Sequence, residues 1–396
     1  MNNWDTKTIG QLGRVVTGTT PRTGDNNAWG DQVDFVTPTE MSYSDREPSG
    51  CRRLSEDGLA TMRRRLVPAG SVLFACIGFS TGKVACVSRP AVTNQQINAL
   101  IPDLSVVDPG FAYYMLRYRA VDIRRIASGS TTPIVNKSTF EAFIVSVPGM
   151  SEQAEIAEVL GVLDDKIAVN KKIAATALEL ADTQFASAAR GVDFGPDTFG
   201  SMATVAGGGT PSTTTEEYWG GGIAWTTPTD VTALSAPYLF ETGRTVTGGG
   251  LESCASQLYP AQSIFMTSRA TIGAFALPQI PAAVNQGFIV VLPPNEELRW
   301  WLLHEMRSRV EEMISLANGS TFLELSRKNF KAMPIRRASD QSISDFARAV
   351  SPLHRRAAQS SAESRTLATL RDALLPQLMS GKLRVRDAEK IVEDAV

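Results

Sequence analysis

Residues 147–173 read VPGMSEQAEIAEVLGVLDDKIAVNKKI. Ile156 and Leu163 fall seven apart, and Asn170, Ala177 and Gln184 continue that row. Val159, Lys166, Ile173 and Leu180 form a parallel row three positions on. A row of this period predicts a long helix with one seam. Ser151 with Glu152 and Glu155 predicts an N-cap and an acidic first turn, and Gly191 a stop. The heptad returns later in the chain. Phe346, Leu353, Ser360, Leu367 and Leu374 each lie 190 residues after their counterparts. Two long helices with matched seams predict an antiparallel coiled coil. Pro352 falls inside the second helix and predicts a kink or a fresh start near Ser351. Ser360 places a polar side chain on that seam.

The repeat extends outward from the helices. Gly18-Thr19-Thr20-Pro21 returns as Gly208-Gly209-Thr210-Pro211, Trp29-Gly30 as Trp219-Gly220, and Thr37-Pro38-Thr39-Glu40 as Thr227-Pro228-Thr229-Asp230, all at an offset of 190. The offset is 192 for Val67-Pro68-Ala69 against Tyr259-Pro260-Ala261 and 191 for Asn94-Gln95 against Asn285-Gln286. It is 190 again for Gly129-Ser130-Thr131 against Gly319-Ser320-Thr321. Solenoid repeats run ~20–50 residues, so this period is a domain plus its connector written twice. Each domain carries short β-like runs (Ser71–Ile77 and Lys83–Val87; Ser263–Thr267 and Phe288–Leu292) and one helix, over Phe111–Ile126 or Leu298–Leu316. The predicted fold class is α+β. Two tandem α/β domains, 1–147 and 191–337, are joined by two long helices, in 148–190 and 338–396, that form an antiparallel coiled coil.

The 396 residues are 43% hydrophobic and 20% charged, which allows two or three domains with sizeable cores. Lys and Arg total 39 against 41 Asp and Glu, so global charge lends no support to a nucleic-acid partner. The longest apolar stretch, Val72 to Phe79, is far below the ~20 residues of a membrane helix. The opening MNNWDTKTIG has no basic region followed by an apolar core. A cytoplasmic chain with no membrane contact is predicted. Cys51, Cys76, Cys86 and Cys254 form no CxxC pair, and His304 and His354 are the only histidines. That argues against zinc ribbons, HExxH sites and a disulfide framework, and leaves the cysteines as buried thiols. So few histidines also weaken acid–base chemistry.

Gly78-Phe79-Ser80-Thr81-Gly82 fits GxSxG. That elbow needs a helix after the turn, whereas Lys83–Val87 reads as a strand, and Arg269–Gly273 in the other repeat has no serine. No GxxxxGK[ST] loop and no Asn-Pro-Pro-aromatic run is present. No catalytic, cofactor-binding or metal site is predicted in this chain, and it does not read as an enzyme.

Val147–Ile173 resembles the central spacer of type I restriction–modification specificity subunits. LLPQLMSGKLRV, Leu374–Val385, resembles their C-terminal spacer. The GTTP and GGTP openings, the Trp-Gly pairs, TPTE and TPTD, and PAGSVLF at Pro68–Phe74 resemble the family's target-recognition domains. Nearly the whole chain is covered: recognition domain 1–147, central helical spacer 148–190, recognition domain 191–337, C-terminal helical spacer and tail 338–396. Gly149-Met150, where the family commonly continues with prolines, and Pro352 depart from the pattern. The resemblance implies a non-catalytic subunit that reads double-stranded DNA. Each domain would take one half of a split target, and the spacers would set the gap. It implies two adenine methyltransferase subunits and motor and nuclease subunits as partners, with S-adenosylmethionine and ATP on those partners. The alternative is a scaffold paralogue that holds partner subunits without reading DNA.

Residues 1–147 contain 16 basic and 13 acidic side chains, and 191–337 contain 10 and 13. Arg22, Arg52, Arg53 and the triplet Arg63-Arg64-Arg65 are DNA-binding candidates, because Arg grips phosphate or reads a guanine edge with two hydrogen bonds. The triplet aligns with Ala255-Ser256-Gln257, outside the shared scaffold. It also reads as a solvated helix end after Ser55-Glu56-Asp57. Thr19, Thr20, Thr210 and Ser212, with Ser130-Thr131 and Ser320-Thr321, are small donors that approach phosphate closely. Gly129 and Gly319 beside the last two pairs also read as C-caps. Trp29 and Trp219 read as core. The seam is assigned to Ile156, Leu163, Asn170, Ile173 and Leu180, and to Phe346, Leu353, Leu367 and Leu374.

Overall fold

The two heptad stretches each fold as one long helix, Met150–Ala188 and Asp340–Met379. The structure, a computed structural model, describes residues 4–22, 24–128, 133–318 and 323–394. It divides into two units. The first comprises residues up to Ala168 and those from Arg365 onward, and the second Val169–Ser364, so each long helix gives one half to each unit.

The first unit holds β1 (Asp5–Thr8), β2 (Gly13–Thr17), β3 (Trp29–Val36), β4 (Arg52–Leu54), β5 (Val72–Ala75), β6 (Val84–Cys86), β7 (Ala91–Thr93), β8 (Ile97–Pro102) and β9 (Ile144–Val147). An antiparallel sheet runs β2-β8-β5-β6. A second runs β4-β3-β7, with β3 and β7 parallel, and β1 pairs with β9. Side chains alternate across β5. Val72 and Phe74 pack with Phe111 and Phe140 on one face, and Leu73 and Ala75 pack with Ala85 and Ala99 on the other. Burial on both faces explains why this strand reads as an unbroken apolar run.

The helix Pro109–Arg125 is started by Asp108, whose carboxylate accepts from the Phe111 amide, with Pro109 in the first turn. Gln153, buried in the first turn of the long helix, donates to the carbonyls of Pro148 and Val106 and accepts from the Asp108 amide. Gly110 permits close approach of the two helices, since a Cβ there would sit 2.9 Å from that of Ala157. Ile156, Leu163 and Ile167 share one buried cluster with Leu367, Leu374 and Leu378 of the second long helix. Each such fully buried leucine contributes roughly 1.5–3 kcal/mol.

The second unit holds β10 (Phe194–Thr198), β11 (Thr204–Ala206), β12 (Trp219–Thr226), β13 (Tyr238–Leu239), β14 (Arg244–Val246), β15 (Ile264–Thr267), β16 (Phe275–Pro278), β17 (Ala282–Val284), β18 (Phe288–Leu292) and β19 (Pro334–Arg336). The order β11-β18-β15-β16 copies β2-β8-β5-β6, β14-β12-β17 copies β4-β3-β7, and β10-β19 copies β1-β9. Even the bulge is copied: Trp29 and Val33 both oppose Leu54, as Trp219 and Ile223 both oppose Val246. β13, parallel to β16 at the sheet edge, has no counterpart among the described residues of the first unit. Phe185 near the end of the first long helix meets Phe346 near the start of the second, and Trp301 packs edge-on against both, with ring centroids 5.1 to 5.6 Å apart. In the first unit the start of the first long helix meets the end of the second. The helices therefore pair antiparallel, and the fold is two tandem α/β domains joined by that pair.

Several local expectations need correction. The first long helix begins at Met150, so Ser151 lies inside its first turn, donating to Glu155, and is not the cap. Leu180 is 45% exposed and Ile173 half-buried. Beyond Asn170 the buried face passes to Ala174, Leu178, Ala181 and Phe185. A straight helix drifts ~20° per heptad from a 3.5-residue seam, and this half also packs on the second domain. The second long helix runs through Pro352 without a fresh start. Arg348 and Pro352 are both exposed, so the carbonyl that the ring leaves without its helical partner lies on the solvent side of the helix.

The helix expected over Leu298–Leu316 divides into Glu296–Arg307 and Val310–Ser315. At the break Arg309 leaves helical geometry and turns its buried guanidinium onto Glu305, Glu312 and the Pro334 carbonyl. Trp29 and Trp219 are half-buried, not core. Cys76 and Cys86 are buried, but Cys51 and Cys254 only partly so. Burial pushes the thiols of Cys51 and Cys76 up to about 11.

Candidate nucleic-acid interface

Thr17 ends β2 opposite Asn98, and Ala75 ends β5 opposite Ile97 at the start of β8. The segments after Thr17, before Ile97 and after Ala75 therefore emerge at one end of the sheet. Gly18 is required there, because a Cβ would come within 2.1 Å of the Thr93 carbonyl. The Thr19 amide donates to that carbonyl at 2.9 Å, and the Thr20 hydroxyl to Gln95 Oε1 at 2.7 Å. The second unit repeats the construction. A Cβ on Gly208 would approach the Val284 carbonyl to 1.9 Å, and the Thr210 hydroxyl donates to Gln286 Oε1 at 2.5 Å. The Gly-Thr-Pro and Asn-Gln motifs, about 75 residues apart in each half, thus form one loop cluster.

Arg65 Nη1 donates to the Thr17 carbonyl at 2.9 Å, which brings the arginine triplet to this cluster. Ser55 caps the helix Glu56–Met62, and Arg63–Arg65 follow as an exposed 3-10 turn. Arg22, Thr20, Thr210 and Ser212 are exposed, and Thr19 half-buried. Arg53 is engaged by the fold, bonded to the Gln32 carbonyl and paired with the buried Asp34. Ser130, Thr131, Ser320 and Thr321 lie outside the described residues.

Sequence reading named Arg52 but not its tryptophan partner, and it missed Arg244, Arg327 and Phe79. Arg52 lies over the Trp29 ring at 3.4 Å, and Arg244 over the Trp219 ring at 3.5 Å. Arg327 packs on the second loop, since a Cβ on Gly207 would meet its guanidinium at about 3.1 Å. Phe79, 91% exposed, stands on the loop after Ala75, its carbonyl accepting from the Tyr43 hydroxyl.

Each domain is fastened to its half of the helix pair by a buried polar network. In the first unit the Tyr114 hydroxyl donates to Asp164 at 2.7 Å, Arg371 bridges Asp164 and Asp372, and Arg117 reaches Asp372 at 3.1 Å. Burial alone would lower the Arg371 pKa, but Asp372 and Asp164 raise it. At an offset of 190, Tyr114 becomes His304, Asp164 becomes His354, Asp372 becomes Asp182 and Arg117 becomes Arg307.

The second network is a directed chain of hydrogen bonds. Burial acts to raise the Asp182 carboxyl, but bonds from His304 and Arg307 hold it below the usual carboxylate range. That carboxylate only accepts, so His304 donates through Nδ1 at 2.7 Å. His304 Nε2 then accepts from His354 Nε2 at 2.9 Å, and His354 Nδ1 accepts from the Tyr238 hydroxyl at 2.8 Å. Both imidazoles are neutral. Burial, then the neighbouring His304 and Arg307, push His354 down to about 2.

Among the described residues no cluster of His, Cys, Asp or Glu is arranged to hold a metal, and no helix is long and apolar enough to cross a membrane. Residues 1–179 and 192–337 each match the Type I restriction modification DNA specificity domain. The chain belongs to that family. It is 34% identical over 136 residues to the type I restriction enzyme MjaIX specificity subunit of Methanocaldococcus jannaschii, a stretch covering 34% of this chain and 32% of the relative. It is 30% identical over 155 residues to the HindI specificity subunit of Haemophilus influenzae, covering 37% and 32%. The matched stretch thus spans about a third of the length of each curated relative. The fold is similar to the crystal structure of a type I restriction–modification S subunit from M. genitalium, with a TM-score of 0.58 at 17% identity over 95% of this chain and 96% of that one.

Proposed function

We propose that this type I specificity-family chain is the sequence-specific DNA-recognition subunit of a type I restriction–modification complex. Its readers are 1–147 and 191–337, and its spacers 148–190 and 338–396. Each reader takes one half of a split double-stranded target, and the spacer helices set the gap and dock partners. The partners are two adenine methyltransferase subunits, which carry S-adenosylmethionine, and motor and nuclease subunits, which carry ATP. The chain itself is non-catalytic and acts in the cytoplasm.

The observation that carries this reading is the doubled family domain with the same loop cluster at the same sheet end in each copy. Thr19, Thr20, Arg22, Arg63, Arg64 and Arg65 in the first cluster, and Thr210 and Ser212 in the second, are the residues offered to DNA. Ser130, Thr131, Ser320 and Thr321 belong to the same proposal. A chain with quasi-two-fold repetition suits two identical partners.

The test is exchange of one reader. The chain is co-expressed with its methyltransferase partner, and the methylated motif is read from host DNA. Replacing residues 1–147 with a homologous domain should change one half of the motif and leave the other intact. A change in both halves, or no defined motif from the unaltered chain, overturns the reading.

A further inference from the structure

The cations of the second reader are mostly engaged. Of its ten Lys and Arg, Arg269, Arg299, Arg307, Arg309, Arg336 and Arg337 each lie within ion-pair distance of a carboxylate. Arg244 does not. It is exposed, and the described residues place no carboxylate within 4 Å of it. Instead its Cζ lies over the Trp219 indole, 3.5 Å from the ring centroid, with Trp225 edge-on to that ring at 4.9 Å. The first reader contains the same arrangement. Arg52 is exposed, has no carboxylate partner among the described residues and lies 3.4 Å over Trp29, with Phe35 edge-on to that ring at 5.3 Å. The register agrees as well, since Arg52 opposes Phe35 on β3 as Arg244 opposes Trp225 on β12.

This mounting has a physical consequence. A guanidinium over an indole is held in place by the ring while its N–H edges stay free, so little rotamer freedom remains to be lost on binding. The mount adjoins the loop cluster. Trp29 and Trp219 end the loops that begin at the Gly-Thr-Pro motifs, and Trp219 Nε1 donates to the Ser212 carbonyl at 3.0 Å. A feature kept in both readers, of which only the first carries the arginine triplet, serves what both half-targets share, and every duplex shares its phosphates.

We infer that Arg52 on Trp29 and Arg244 on Trp219 are paired phosphate grips, one per reader, which position each domain on DNA without reading bases. The inference rests on the DNA-reading function proposed above.

The test uses the full chain with its methyltransferase partner, titrated against a duplex containing its motif and one lacking it, at several salt concentrations. R52A and R244A should each weaken binding to both duplexes by a similar factor and reduce the log–log salt slope by about 1, with the methylated motif unchanged. R244Q, which keeps a stem over the indole, should behave as R244A, and R337A, which removes an ion-paired surface arginine, should behave as wild type. If wild type prefers its motif and R244A retains the wild-type affinity and slope, this inference alone falls. It also falls if R244A alters a half-sequence, which would make Arg244 a base reader. If wild type shows no preference for any duplex, the DNA-reading function falls and this inference with it.

Discussion

The His354 ring lies between Trp300, stacked at 4.0 Å, and His304, with Arg307 and Arg299 acting against its protonation and Asp182 for it. At the matching position of the first unit stands Asp164, an anion paired with Arg371. The halves should therefore differ in their response to acid. The folded value for His354 is about 2 and its ordinary value 6.5, so between these the unfolded chain binds the extra proton. The stability from neutral His354 is full above 6.5 and declines as pH falls toward 2. At pH 5 the loss is about 2 kcal/mol. Four of the six tryptophans, Trp219, Trp225, Trp300 and Trp301, lie in the second unit, so tryptophan fluorescence chiefly reports its unfolding. Its melting temperature should fall between pH 7 and pH 5, and His354→Gln should flatten that slope; an unchanged slope in the variant would assign the acid sensitivity elsewhere. Alignment at a constant 190 pairs four members of each network and leaves out Arg371 and Tyr238, whose counterparts are Ala181 and Pro48. Arg244 escapes such an alignment because it follows Arg52 by 192, two residues into the local drift.

Among the elements, the long helices were the most legible, because a heptad row leaves one reading of period and face. Legibility fails beyond Asn170, where the face is set by the second domain as well as by the partner helix, and Leu180 turns outward. The break at Arg309 was equally hidden, since it depends on a buried Glu305–Arg309 pair that only the fold brings together. Asn170 itself is 1% exposed, and among the described residues neither atom of its amide has a hydrogen-bond partner; Ser360, its repeat counterpart, is likewise buried with an unpaired hydroxyl. A buried amide left unpaired costs ~1–3 kcal/mol, whereas a polar seam residue can fix register. Asn170→Leu should therefore raise the denaturant midpoint of the purified chain by a stability of about 1–3 kcal/mol. A lowered midpoint would mean that the amide finds partners in solution and supports the seam.

For the whole molecule, the 190-residue repeat foretold the duplicated sheets, while β13 was invisible because two residues at a sheet edge carry no period. The chain passes between its units twice, after Ala168 and after Ser364, both times within a long helix. If these helices are the ruler between readers, lengthening both crossings should move the half-sites apart without touching either reader. Four residues inserted at each crossing add ~6 Å of rise and just over one helical turn. In a heptad seam this is a stutter, which unwinds the coil locally and is tolerated. At ~3.4 Å per base pair along each strand, the unread gap should grow by about two base pairs while both half-sequences persist. Two residues at each crossing instead rotate everything downstream by ~200°, turning the seam away from its partner, and should abolish assembly with the methyltransferase. Methylated motifs from cells expressing each variant give the readout. A four-residue pair that changes a half-sequence but leaves the gap alone would place the ruler outside these helices, as would silence from both insertions.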